Sequence, residues 1–231
     1  MTKQIRRRLL SILPRDLILD LFDAASARTL KAHELVRDGT DLSGRSARAL
    51  EGQARFRLME KGFQDVCENH GAHAVEGGVI PGTDLRFFQP FMRFGGPVKK
   101  GVILGFASMP ARRELPGKNQ SRMAGVSLNY HLTPRLDLDD YGPKLGDIFV
   151  LFLVARDRNR AGKVEEVAVG VIDSGYTTFL FYESVENFVA GYVKPIPPTP
   201  TGSTKLVRLK AKRRPFTAPE KPASEDESKN G

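Results

Sequence analysis

Residues 148–155, IFVLFLVA, are apolar without a break and rich in β-branched and aromatic side chains. A strand with no polar face cannot lie at a solvated surface, so this run belongs in the middle of a sheet covered on both sides. It is also far short of the roughly 20 apolar residues that a membrane-spanning helix needs. The rest of the chain therefore has to supply flanking strands and two covering layers.

Helices are the first candidates for a covering layer. From Asp16, just after Pro14, the positions Leu17, Leu21, Ala24, Ala25 and Leu30 recur at near-helical spacing, and Gly39 closes the pattern. The spacing predicts a second helix over 43–69. Ala47, Leu50, Ala54 and Leu58 lie on one line of it, with Met59, Phe63, Val66 and Cys67 beside them. Gly71 stands where a left-handed cap would end it.

Beyond Gly71 the texture changes to strands and turns. Short strands are predicted over 75–80, 84–94 and 102–107, with Pro81-Gly82 and Gly95-Gly96-Pro97 as turns and Pro90 marking an edge or bulge. These read as an antiparallel meander. A short helix is expected over 119–131, and a turn at 159–163 joins the central run to partner strands over 164–172 and 177–182. Ser184 is placed to cap a last helix reaching Val189. The expected class is α+β, with N-terminal helices followed by a mostly antiparallel or mixed sheet. Its divisions are a helical segment over 1–42, a core over 43–193 and a tail over 194–231. Seven prolines fall in the tail among many Ser, Thr and Lys, a composition that predicts disorder.

A chain of 231 residues can bury a sizeable core without covalent staples. Cys67 is the only cysteine, which excludes an internal disulfide and points to a reducing compartment. After Leu9 and Leu10, the residues Ser11, Pro14, Arg15 and Asp16 interrupt any signal-peptide core. A cytoplasmic location with no membrane partner is expected. The formal charge is +9, of which +5 sits in residues 1–15 and +5 in 194–231, leaving −1 over 16–193.

The two charged ends suggest DNA or RNA as the partner of an accessory or regulatory protein. Arg6, Arg7 and Arg8 form one cluster, and Lys205, Arg208, Lys210, Lys212, Arg213 and Arg214 form another within ten residues. Such runs neutralise phosphates and release counterions, giving affinity without sequence preference. A solvated, solubilising tail is the plainer reading of the second.

Metal and catalytic patterns are sparse. Cys67, His70, His73 and Glu76 are all residue types that bind zinc, but their spacing matches no standard zinc site, so a buried Cys67 and a His70 at a helix end suffice. The acidic run 137–142 begins like a calcium loop but has Ile148 where the bidentate Glu belongs. Residues 96–101 lack the order of a phosphate-binding loop, and there is no nucleophile-elbow motif.

The order helix, strand, Pro81-Gly82-Thr83-Asp84, strand resembles the PD-(D/E)XK nuclease core over about residues 45–110. That resemblance implies magnesium or manganese as cofactor, with Asp84 as the first acid and Glu60 as an acid from the preceding helix. The strand over 102–107 carries no acid-x-Lys, and Lys99 and Lys100 precede it. Without that chemistry no cofactor is expected. A third possibility is a protein-interaction module presenting Phe87, Phe88, Phe91 and Phe94. Ordinary core is the commoner fate of such residues.

Overall fold

The computed structural model of the chain describes residues 1–75, 89–96, 100–132 and 146–192. Three helices come first: α1 (Thr2–Ile12), α2 (Arg15–Gly39) and α3 (Gly44–Asn69). Strands β1 (His73–Ala74), β2 (Met92–Phe94) and β3 (Val102–Met109) follow. Then come α4 (Gln120–Ser127) with a 3-10 turn at Leu128–Leu132, strands β4 (Ile148–Arg156), β5 (Val164–Ile172) and β6 (Phe179–Ser184), and the short α5 (Val185–Val189). The fold is α+β. No helix among the described residues is long and apolar enough to cross a membrane.

The strands form one six-stranded sheet in the order of the chain. Every neighbouring pair is antiparallel except β3 and β4, which run parallel in register from Val102 opposite Ile148 to Met109 opposite Ala155. Antiparallel neighbours need only a turn, whereas a parallel pair needs a crossover, and α4 lies within that connection. β1, β2 and β3 form an antiparallel meander, in which β1 precedes the expected strand over 75–80, and β4 leaves the pattern by running parallel to β3.

Residues 148–155 are all buried, because each face of β4 meets its own core. On one face Ile148, Val150, Phe152 and Val154 join Leu104 and Phe106 of β3 beneath α1, α2 and α3. On the other, Phe149, Leu151, Leu153 and Ala155 join Phe91, Ile103, Ala124 and Val126. Burial of each large apolar side chain contributes roughly 1.5–3 kcal/mol, so this strand adds to both cores at once.

Helix α2 buries Leu17, Ile18, Leu21, Ala25, Thr29, Ala32 and Val36, a stripe three or four residues apart. Its partner α3 buries Met59, Gly62, Phe63 and Cys67, all in its second half, so its first half extends past the sheet. Gly71 follows with φ at +77°, the left-handed cap expected of it. Residues 2–12, read from the sequence only for their charge, form a helix because Ile5 and Leu9 make an apolar stripe that Leu13 continues into the same core. The helices of residues 1–42 thus share the core of the sheet.

Local signals for the remaining elements hold closely. Asn119 caps α4 by accepting from the Arg122 N–H at 2.8 Å, and the Ser184 hydroxyl accepts from Asn187 at the start of α5. Of the four phenylalanines considered as a contact surface, Phe91 and Phe94 are core residues. Phe87 and Phe88 lie outside the described residues. So do the expected strand over 75–80 beyond Val75, the acidic run 137–142 and the tail from 194.

Candidate functional site

Parallel strands carry their C-terminal ends to the same side of a sheet, and in such sheets ligands bind beside those ends. Here the parallel pair releases two basic segments together. Met109 leads into Arg112, Arg113, Lys118 and Arg122, with Glu114 the one acid before α4 is entered. Arg156 ends β4 and is followed by Arg158, Arg160 and Lys163, with only Asp157 opposing. The first half of α3 adds Arg45, Arg48, Arg55 and Arg57 against Glu51. Of these bases Arg55, Arg156 and Arg158 share one cleft, whereas Arg112, Arg57 and Arg160 pair with Glu166, Glu60 and Asp157, and Lys118 lies 5.7 Å from the Tyr176 ring.

A cleft of about 210 Å³ opens among them, lined by Thr29 of α2, Arg55 and Met59 of α3, Ser108, Met109 and Pro110 at the end of β3, and Val154, Arg156 and Arg158 at the end of β4. Arg55 is recessed, its side chain only 16% exposed. Burial lowers its guanidinium pKa below the ordinary value, the nearby charge of Arg156 pushes the same way, and Glu51 opposes both. Glu51 lies 3.4 Å from Arg55 and 3.1 Å from His33, so His33–Glu51–Arg55 form a chain that steers the guanidinium from behind.

A bulge between Ala155 and Arg156 shifts the register at the end of β4. Bulges re-aim the side chains that follow them. Arg156 is exposed and makes no side-chain hydrogen bond or ion pair among the described residues. Arg158 is held in place by donating to the Pro110 carbonyl at 2.9 Å. Arg55 and Arg156 thus share a recess whose lining includes no carboxylate, an arrangement stabilised by an incoming anion.

The residues singled out from the sequence lie elsewhere. Arg6 sits 2.9 Å from Glu183 and donates to the Asn187 carbonyl, while Arg7 is exposed. Arg8 is half-buried and donates to the carbonyls of Gly101 and Gly146, across the molecule from the cleft. Lys205, Arg208, Lys210, Lys212, Arg213 and Arg214 lie outside the described residues.

Cys67 is fully buried, and burial raises its thiol pKa, so it is a packing residue. His70 lies 2.7 Å from Asp20, His73 is exposed in β1, and Glu76 is outside the described residues. Among the described residues no three His, Cys, Asp or Glu side chains converge as metal ligands.

Glu60 is 3.1 Å from Arg57, and Lys100 is exposed just before β3. Asp84 and Lys99 are outside the described residues. β3 carries neither the acid nor the lysine that the nuclease resemblance implies.

No protein-family model and no curated protein matches this sequence. The site therefore stands on its own geometry. Arg55, Arg156 and Arg158 were missed in the sequence because they are about a hundred residues apart. The available signal was the alternation Arg156, Arg158, Arg160 directly after the most buried strand.

Proposed function

We propose that this protein binds nucleic acid, DNA or RNA, through its phosphates, as an accessory or regulatory factor acting in the cytoplasm. The observation that carries the reading is the cleft at the ends of β3 and β4 in which Arg55, Arg156 and Arg158 meet with no carboxylate in its lining. Guanidinium groups pair with phosphate bidentately, and a rim of them supplies the sequence-independent share of affinity. The basic ends of the chain add to the same long-range field.

Binding of a fluorescently labelled 20-base-pair DNA duplex and a 20-nucleotide RNA, followed by anisotropy over a salt series, tests this. Replacing Arg48, Arg113 and Arg158 together by alanine should weaken binding at least tenfold and reduce the steepness of the log–log salt plot by up to about 3. No binding by the intact protein at about 50 mM salt would remove the proposal.

A second reading, a divalent-metal nuclease, is favoured by one observation: α3, three antiparallel strands, α4 and then β4 keep the order on which the resemblance rests. It predicts magnesium- or manganese-dependent cleavage that Asp84→Ala abolishes while the circular-dichroism spectrum stays unchanged.

A further inference from the structure

The cleft is more selective than the rim around it. Its volume of about 210 Å³ is below the roughly 300–1,000 Å³ that encloses a whole small ligand, so it suits a single end group. The Arg55 side chain is only 16% exposed and shares the lining of the cleft with Thr29, Met59, Ser108 and Val154. A phosphodiester within a strand is flanked by neighbours and carries one charge. It can lie on an exposed arginine outside the cleft, such as Arg113, but its flanking nucleotides keep it from a recess of this size. A phosphomonoester projects freely, carries about −1.5 to −2 at pH 7 and offers three acceptor oxygens.

Two guanidinium groups that repel each other across the recess call for more than one negative charge. Arg156, just after the bulge, lines the cleft with Arg55 and has no carboxylate partner among the described residues, and Glu51 contacts both Arg55 and His33. Resting on the nucleic-acid reading above, we propose that the cleft between Arg55 and Arg156 binds a phosphomonoester, the group found at a cleaved nucleic-acid end or on a free mononucleotide.

The test compares labelled 20-base-pair duplexes that differ only in carrying a 5′-phosphate, a 3′-phosphate or hydroxyls at their ends, with adenosine monophosphate titrated separately by calorimetry. The expected result is at least tenfold tighter binding of a phosphorylated end. Arg156→Ala should bring it within about twofold of the hydroxyl-ended duplex. Arg156 is exposed and without a side-chain partner among the described residues, so the variant should keep the wild-type melting temperature.

Binding of adenosine monophosphate that Arg156→Ala abolishes, with no end preference on duplexes, would support the site with a free mononucleotide as its source. Equal binding of all duplexes together with no binding of adenosine monophosphate overturns the inference but leaves the nucleic-acid reading standing. Failure of every duplex to bind at about 50 mM salt overturns that reading instead.

Discussion

Asn129 is fully buried and has every polar atom engaged. Its amide donates to the carbonyls of Phe149 and Ile172, both at 2.9 Å, and its oxygen accepts from the Phe149 N–H at 2.9 Å. It thereby ties the 3-10 turn to the start of β4 and the end of β5. Asn129→Leu would leave three backbone groups unsatisfied in the interior and should cost roughly 3 kcal/mol, read as a shift in the urea midpoint. A second, half-buried junction sits at Asp147. It takes two contacts from Arg93, at 2.8 and 3.3 Å, and the Gly101 N–H at 2.6 Å. Burial pushes its carboxyl pKa up, but the donors and the charges of Arg93 and Arg8 outweigh that and hold it below the usual carboxylate range. A depressed folded-state value means the group stabilises the fold above its unfolded pKa of about 3.9 and stops doing so as pH falls through the folded value. Asp147→Asn should therefore be less stable than wild type at pH 6, with the gap closing toward pH 3, as followed by urea unfolding at both pH values.

At the scale of elements, α4 can reach the sheet only because Gly125 faces it. A Cβ there would stand 2.3–2.6 Å from three ring atoms of Phe149, which is itself 1% exposed and cannot move aside. Gly125→Ala should destabilise by about 1–3 kcal/mol through overpacking, measured by denaturant unfolding. Elements with a local signature were legible in the sequence. The periodicity of α2, the caps at Asn119 and Ser184, and the β5 boundaries at Val164 and Ile172 depend on neighbours a few residues apart, and all coincide with the structure. Less legible was α1, because three successive arginines drew the reading to charge and away from Ile5, Leu9 and Leu13 beneath them. The buried contacts of Arg6 and Arg8 were invisible for the same reason: their partners are 93 to 181 residues away.

For the whole molecule the decisive quantity is where charge lies in space. A net of −1 over residues 16–193 describes a neutral body, yet strand direction brings Arg156 and Arg158 beside Arg55 at one end of the sheet. If that end is the main binding surface, deleting residues 194–231 should weaken nucleic-acid binding by less than the Arg48, Arg113 and Arg158 triple substitution does. Its salt plot should become shallower while staying clearly sloped. Anisotropy titrations at about 50 and 200 mM salt check this, and a truncated protein that no longer binds would assign the affinity to the tail.

By itself, the sequence determined that residues 148–155 are an internal strand, that long helices precede the sheet and that a strand over 102–107 lies within it. Apolar runs and cap residues act locally, so these features survive reading in one dimension. Only the tertiary structure decided that β3 and β4 run parallel. The apolar pattern of a buried strand is the same for either direction, and direction alone brings Ser108, Arg156 and Arg158 to the end of the sheet where Arg55 waits.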